Sequence, residues 1–331
     1  MTLYIEKKNI AVLGSGAFGT ALAATACKKH NVSLYGRRKD LVDNINQKRE
    51  NTDYLPGEIL PKTLHATNDI AHCLKNADYA LITIPAQMMR KALINFSNHI
   101  RPELPLIICA KGIAQDNKAF MSQIVQEILP QNPFGLLSGP GFALDIIKDL
   151  PTAITLCAPE IEQAMEYARV FSHKNFRCYA SDDIKGVEIG GAFKNVFAIA
   201  AGICAGKNLG ESAIAALITR AFAELRRIGC CLGARKETLM GLSGFGDLYL
   251  TCSSEKSRNF SYGIALAKGQ IKQNTKLTEG VKTAPVAYQI CQKYNIDAPI
   301  ITTIYQLLSE KITIIQAIDY LCNRPLRLEE E

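Results

Sequence analysis

Tryptophan is absent from this 331-residue chain, and only 7% of its residues are aromatic. The net charge of +7 is modest, and no basic block is interleaved with aromatics, which removes the usual footprint of a nucleic-acid groove. The eleven cysteines form no C-x-x-C pair, and Cys230 and Cys231 simply adjoin. That spacing excludes a zinc ribbon and a secreted disulfide framework, so no metal is expected and reduced thiols in a cytoplasmic setting fit better. Internal repeats and low-complexity tracts are also missing.

Two segments imitate targeting signals. Lys7-Lys8 precedes an apolar stretch that runs to Cys27, like a signal peptide, but Gly14-Ser15-Gly16 interrupts it. Residues 189–205 are apolar except for Lys194 and Asn195, short for a membrane span and costly at its centre. Both read as core, with no stable membrane insertion. What is present is ordinary globular composition, 48% hydrophobic and 21% charged. At this length two domains are expected.

From residue 8 to about 180, short apolar runs alternate with helical patterns. Strands are predicted at 10–13, 32–35, 78–84, 104–109, 134–138 and 153–157. Helices are predicted from the glycine-rich turn to Lys29 and over 39–49, and residues 51–63 read as a loop. This alternation predicts an α/β, Rossmann-type doubly wound sheet for residues 1–180. Past residue 181 strand signals fade, and helical periodicity over 184–205, 211–229, 283–294 and beyond 299 predicts an all-α substrate-binding domain, 181–331. Such an apolar helical half allows a homodimer.

Gly14-Ser15-Gly16-Ala17-Phe18-Gly19 follows the first strand directly and opens a helix. Gly14 permits the tight turn, Gly16 lets backbone approach a pyrophosphate, and Gly19 lets helix and strand pack closely. The helix N-terminus offers unpaired N–H groups to the diphosphate. An NAD-selective site carries an acid at the end of the second strand, whereas Tyr35-Gly36-Arg37-Arg38 stands here. A guanidinium pair suits a 2′-phosphate, so NADP(H) is favoured with NAD(H) allowed. The plainer reading is two arginines on an ordinary surface helix.

Reducing a ketone with such a cofactor requires a proton donor near the carbonyl oxygen. The five histidines lie in polar or turn-like surroundings. Lys194 is the sole charge in Ile189 to Gly202, and its helical neighbours Gly190, Gly191 and Ala198 leave room for a ligand or another element. Desolvation there would lower its pKa toward a useful value. A lysine snorkelling out of a buried helix would look the same. Lys111-Gly112 follows a strand at the carboxyl end of the sheet, where ligands gather. Asp247 leads through Thr251 to Ser257-Arg258-Asn259 before another helix, a pattern suited to a phosphate, although alone each of these two clusters is more often a turn with solvated charges.

Taken together, these pieces resemble the bacterial NAD(P)-dependent glycerol-3-phosphate dehydrogenases over nearly the whole chain. The matching segments are Gly14 to Ala21, Ala110-Lys111-Gly112, Ser138-Gly139-Pro140, Gly191 to Val196, Gly246 to Cys252, Ser257-Arg258-Asn259, Glu279-Gly280-Val281 and Thr283-Ala284. The resemblance implies interconversion of dihydroxyacetone phosphate and sn-glycerol 3-phosphate, feeding phospholipid synthesis. It makes Lys194 the acid/base, with Lys111 between cofactor and substrate and depressing the pKa of Lys194. Asp247 and Asn195 would position the lysine and the substrate hydroxyls, and Arg258 and Asn259 would hold the phosphate. Gly139, Gly141, Thr251 and Ser257 fall at substrate positions. Ser15, Phe18, Arg37, Arg38, Lys111, Ala143, Arg258, Leu277 and Glu279 fall at cofactor positions. The family usually carries Ser or Thr where Gly141 stands, so one substrate hydroxyl contact is missing. No metal is needed, because a protonated lysine can polarise the ketone. Two other readings of the sequence remain open: a hydroxyacid or ketopantoate-type dehydrogenase, and a non-catalytic NADP-binding redox sensor.

Overall fold

The computed structural model describes residues 6–270 and 278–325. Its strands are β1 (Asn9–Leu13), β2 (Asn31–Tyr35), β3 (Glu50–Asn51), β4 (Leu55–Ile59), β5 (Leu64–Thr67), β6 (Tyr79–Ile82), β7 (Leu106–Ile108), β8 (Phe134–Ser138), β9 (Thr152–Cys157) and β10 (Phe176–Ser181). Eight of them form one sheet in the order β10-β9-β8-β7-β6-β1-β2-β5, parallel except where β9 runs against β8. The central strands carry continuous apolar runs because both faces are covered. Ile10 and Val12 face one core while Ala11 and Leu13 face the other, as the two-residue period of a strand requires.

Seven helices cover that sheet: α1 (Ala17–Ala26), α2 (Lys39–Lys48), α3 (Ile70–Leu74), α4 (Ala86–Phe96), α5 (Met121–Ile128), α6 (Ala143–Ile147) and α7 (Ile161–Phe171). The strand order reverses between β1 and β6, and the loops leaving Leu13, Ile82 and Ile108 emerge on one edge. Ligands of doubly wound sheets bind at such a switch point.

Three local expectations are corrected. Residues 51–63 are not a plain loop, because β3 and β4 pair antiparallel within it. Strands β5 and β10 lacked an apolar run because they lie at the two sheet edges and expose alternate residues. Helix α1 ends at Ala26, and Lys28 and Lys29 close tighter turns on Thr25 and Ala26.

The second half comprises α8 (Ile184–Gly206), α9 (Glu211–Cys231), α10 (Lys236–Met240), a π-helical turn at Leu242–Gly246, α11 (Asp247–Cys252), α12 (Arg258–Ala267), α13 (Glu279–Lys293), α14 (Pro299–Leu308) and α15 (Ile314–Cys322). Asp183 caps α8 by accepting the Gly186 N–H at 2.9 Å. Helix α8 is long and apolar enough to cross a membrane, yet 83% of its apolar window is buried inside the protein. It is hydrophobic all round because other helices surround it. Helix α12 crosses it at backbone distance: a Cβ at Gly202 would fall 2.0 Å from the Phe260 carbonyl oxygen, and one at Gly263 2.2 Å from that of Ile199. This crossing sets the N-terminus of α12 beside the middle of α8.

Candidate active site

Gly14 has φ +124°, a conformation that L side chains rarely adopt, and its N–H donates to the Tyr35 carbonyl at 3.1 Å. A Cβ at Gly19 would lie 2.0 Å from the Gly14 oxygen, so this turn and helix can pack only with glycine there. Thr83 finishes the clamp, its hydroxyl donating to the carbonyls of Leu13 and Gly14 at 3.1 and 2.9 Å. Around Gly16 the space is open, with nothing within 4 Å of where a Cβ would stand. Helix α1 has no side-chain cap and no acid in its first turn. Its leading N–H groups and the positive end of its dipole therefore fit a diphosphate.

Lys194 sits in the middle of α8, 7% exposed. Its Nζ donates to Asp247 Oδ1 at 2.6 Å and to Thr251 Oγ1 at 2.8 Å. Lys111, on the loop after β7, donates to Asp247 Oδ2 at 2.6 Å and to the Gly139 carbonyl at 3.0 Å. One buried carboxylate thus joins two ammonium groups carried by different halves of the chain. Burial is the largest influence on Lys194 and lowers its pKa to about 8; Asp247 opposes the fall, and Lys111 deepens it. The small face of α8 is filled by the protein itself: Gly190 abuts the Ser243 carbonyl, and Gly191 abuts Ser138 Oγ and the Lys111 stem.

At the other end of the site, Ser257 caps α12 by accepting the Phe260 N–H at 3.3 Å. Arg258, the first helical residue, is exposed and close enough to act on Glu279. Asn259 Oδ1 accepts from the Gly280 N–H at 2.8 Å, while its Nδ2 donates to Asn195 Oδ1 at 2.9 Å. Asn195 Nδ2 lies 3.5 Å from Glu279 Oε2. Burial raises the Glu279 carboxyl above its ordinary range, against the opposing charges of Arg258, Lys194 and Lys111. Pro85, Gln87, Lys111, Gly112, Glu279 and Thr283 line a cleft between the sheet edge and α13.

The expected residues therefore fall into three groups. Lys111, Lys194, Asp247 and Thr251 form one hydrogen-bonded centre. Asn195, Asn259 and Glu279 form a second, joined to it through α8, and one Asn259 amide proton has no acceptor among the described residues. Phe18 and Ala143 pack where α1 meets α6, while Arg37 and Arg38 stand at the end of β2. Leu277 lies outside the described residues. Gly141 packs near Ile146, and nearby in sequence the buried hydroxyl of Ser138 has no partner among the described residues. Nothing local in the sequence marks Thr83 or Asn51, and Ser138 enters only through the matching Ser138-Gly139-Pro140 segment, with no role of its own. Their roles arise from packing against residues far away in the chain.

The comparisons with known proteins agree with this geometry. Residues 9–164 match the family described as NAD-dependent glycerol-3-phosphate dehydrogenase N-terminus, and residues 183–319 match the corresponding C-terminus. A Brucella canis protein named glycerol-3-phosphate dehydrogenase (NAD(P)+) is 50% identical over 322 residues, 97% of this chain and 99% of its own length. One of the same name from Mesorhizobium japonicum is 50% identical over 321 residues, 97% of this chain and 93% of its own. The crystal structure of glycerol-3-phosphate dehydrogenase from Coxiella burnetii superposes with a TM-score of 0.90 at 33% identity, covering 96% of this chain and 99% of that one.

Proposed function

This chain belongs to the NAD-dependent glycerol-3-phosphate dehydrogenase family, and from that premise we propose how its own residues carry the reaction. The chain catalyses the reversible NAD(P)H-dependent reduction of dihydroxyacetone phosphate to sn-glycerol 3-phosphate. The observation that carries the residue assignment is the Lys194–Asp247–Lys111 junction, facing the carboxyl edge of the sheet. The dinucleotide, when bound, supplies the hydride.

Lys194, as the ammonium, donates a hydrogen bond to the C2 carbonyl oxygen and polarises it, then gives up the proton as the alcohol forms. A buried carboxylate left unpaired at that moment would be costly. Asp247 avoids this, because Lys111 holds its second oxygen at 2.6 Å. Thr251 and Asp247 fix the direction of the Lys194 amine. The α12 N-terminus and Arg258 hold the substrate phosphate, aided by the remaining Asn259 amide proton. Glu279, Phe18, Ala143 and the N-terminus of α1 hold the cofactor.

NADP(H) is preferred over NAD(H) in this reading, on the support of an exposed Arg37 that makes no ion pair among the described residues. The product supplies glycerophospholipid synthesis, and the eleven free thiols support a cytoplasmic setting. A homodimer belongs to the same reading, supported by the exposed rings of Phe245 and Tyr249, which lie tilted against each other beside Phe222. Light scattering tests it. The experiment for the activity follows the absorbance of NADPH and NADH with dihydroxyacetone phosphate and with unphosphorylated dihydroxyacetone. Rapid turnover confined to the phosphorylated ketone is expected; equal rates on both ketones would remove the phosphate site, and binding without turnover would favour a sensor.

A further inference from the structure

The two arginines at the end of β2 are not equivalent. Arg37 is exposed and makes no hydrogen bond or ion pair among the described residues. Arg38 has its guanidinium engaged on two sides: Nη1 donates to Asp53 Oδ2 at 2.6 Å, Nε donates to Asp40 Oδ1 at 3.2 Å, and Nη2 pairs with Asp40 Oδ2. Asp40 lies in the first turn of α2, while Asp53 comes from the turn between β3 and β4.

That hairpin is not free to drift. Asn51, fully buried, donates from Nδ2 to the Ser15 carbonyl at 2.9 Å and to Thr20 Oγ1 at 2.8 Å. Ser15 belongs to the glycine-rich turn and Thr20 to α1, so the hairpin is tied to the dinucleotide loop two residues from Asp53. At its far end Leu60 N–H donates to the Arg49 carbonyl at 2.7 Å. Asp53 therefore stands at a set distance from both the loop and Arg38.

The end of the second strand is where the ribose 2′ position of a dinucleotide falls. A 2′-phosphate and the carboxylates of Asp53 and Asp40 require the same guanidinium. We propose that Asp53, tethered through Asn51, sets the NADPH-to-NADH preference by occupying Arg38 in place of a 2′-phosphate. With NADH, the ion pairs stay intact and a carboxylate is at hand to accept the 2′-hydroxyl. With NADPH, the phosphate must draw Arg38 away from Asp53 against the repulsion of that carboxylate, while the unpaired Arg37 attracts it. This arrangement suits a chain that accepts both cofactors, because Arg38 keeps a partner with either one. The inference rests on the reading that Arg37 and Arg38 face the 2′ position.

The test is direct binding, read from reduced-nicotinamide fluorescence, of NADPH and NADH to the wild type, Asp53→Asn, Asp53→Asn with Arg38→Ala, and Arg37→Ala. Asp53 is partly exposed in a turn, and the amide keeps its shape, so folding should hold. For an exposed pair, Asp53→Asn should tighten NADPH about fivefold and leave NADH unchanged or weaker. The gain should vanish when Arg38→Ala is added and should shrink in high salt. An unchanged or weakened NADPH affinity in Asp53→Asn overturns the inference. If Arg37→Ala weakens both cofactors alike, the 2′-phosphate reading itself fails. If Arg37→Ala is selective for NADPH while Asp53→Asn changes nothing, only the role of Asp53 is lost.

Discussion

The titration of Lys194 gives the sharpest test of the site. Reduction needs its ammonium form and oxidation needs the free amine. Its pKa is lowered from 10.5 to about 8, chiefly by burial. With that value the protonated fraction falls from about 0.9 near pH 7 to about 0.1 near pH 9, so reductive kcat/KM should drop about tenfold across this window. An unperturbed lysine would stay protonated throughout and give a flat profile. Oxidation of sn-glycerol 3-phosphate should show the mirror image, rising with pH through the same midpoint. Lys111→Met removes a neighbouring positive charge and leaves Asp247 to Lys194 alone. Its absolute rate should fall because Lys111 lies in the site, but the midpoint should move upward, on the order of one unit or more. Initial rates in both directions between about pH 6.5 and about pH 9.5 would measure this. A flat reductive profile, or a midpoint that falls in Lys111→Met, would refute the electrostatic argument.

Other consequences can be checked separately. Lys194→Ala should keep dinucleotide binding and lose about a hundredfold or more in kcat, since Asp247 remains paired with Lys111; a kcat within about threefold of wild type would take Lys194 out of the proton transfer. Arg258→Ala should raise KM for dihydroxyacetone phosphate about tenfold or more while changing the slow rate on dihydroxyacetone little; equal losses on the two would place the phosphate elsewhere. Gly263→Ala puts a methyl 2.2 Å from the Ile199 carbonyl oxygen. Stability should fall by about 1–3 kcal/mol, seen as a lower melting temperature, and kcat should fall with it as α12 is pushed off α8. An unchanged melting temperature would mean that the crossing has slack.

Much of the architecture was legible because its signals are local. A strand buried on both faces is a short apolar run wherever it occurs, and β1, β6, β7 and β8 could be seen for that reason. The glycine-rich turn announces itself, since each glycine answers a demand made within a few residues. Lys194 stood out as a lone charge in an apolar helix, and its role then hung on what surrounded it. The edge strands β5 and β10 give no such signal, because their exposed side chains break the apolar pattern. The hairpin after residue 50 was hidden by its proline and glycine.

What only the tertiary structure decided is which distant groups share a charge or a proton. Lys111 and Asp247 are 136 positions apart, and Lys194 and Asp247 are 53 apart, yet all three meet because α11 and the π-helical turn pack on α8 at Gly190. The sequence suggested desolvation of Lys194, but not the single carboxylate shared between two lysines. Nor did it distinguish Arg37 from Arg38, whose different surroundings depend on a hairpin anchored to the dinucleotide loop by Asn51. Backbone preference is decided over a few neighbouring residues. The pKa and pairing of a buried group depend on water excluded and charges brought close by the whole fold, which no local pattern encodes.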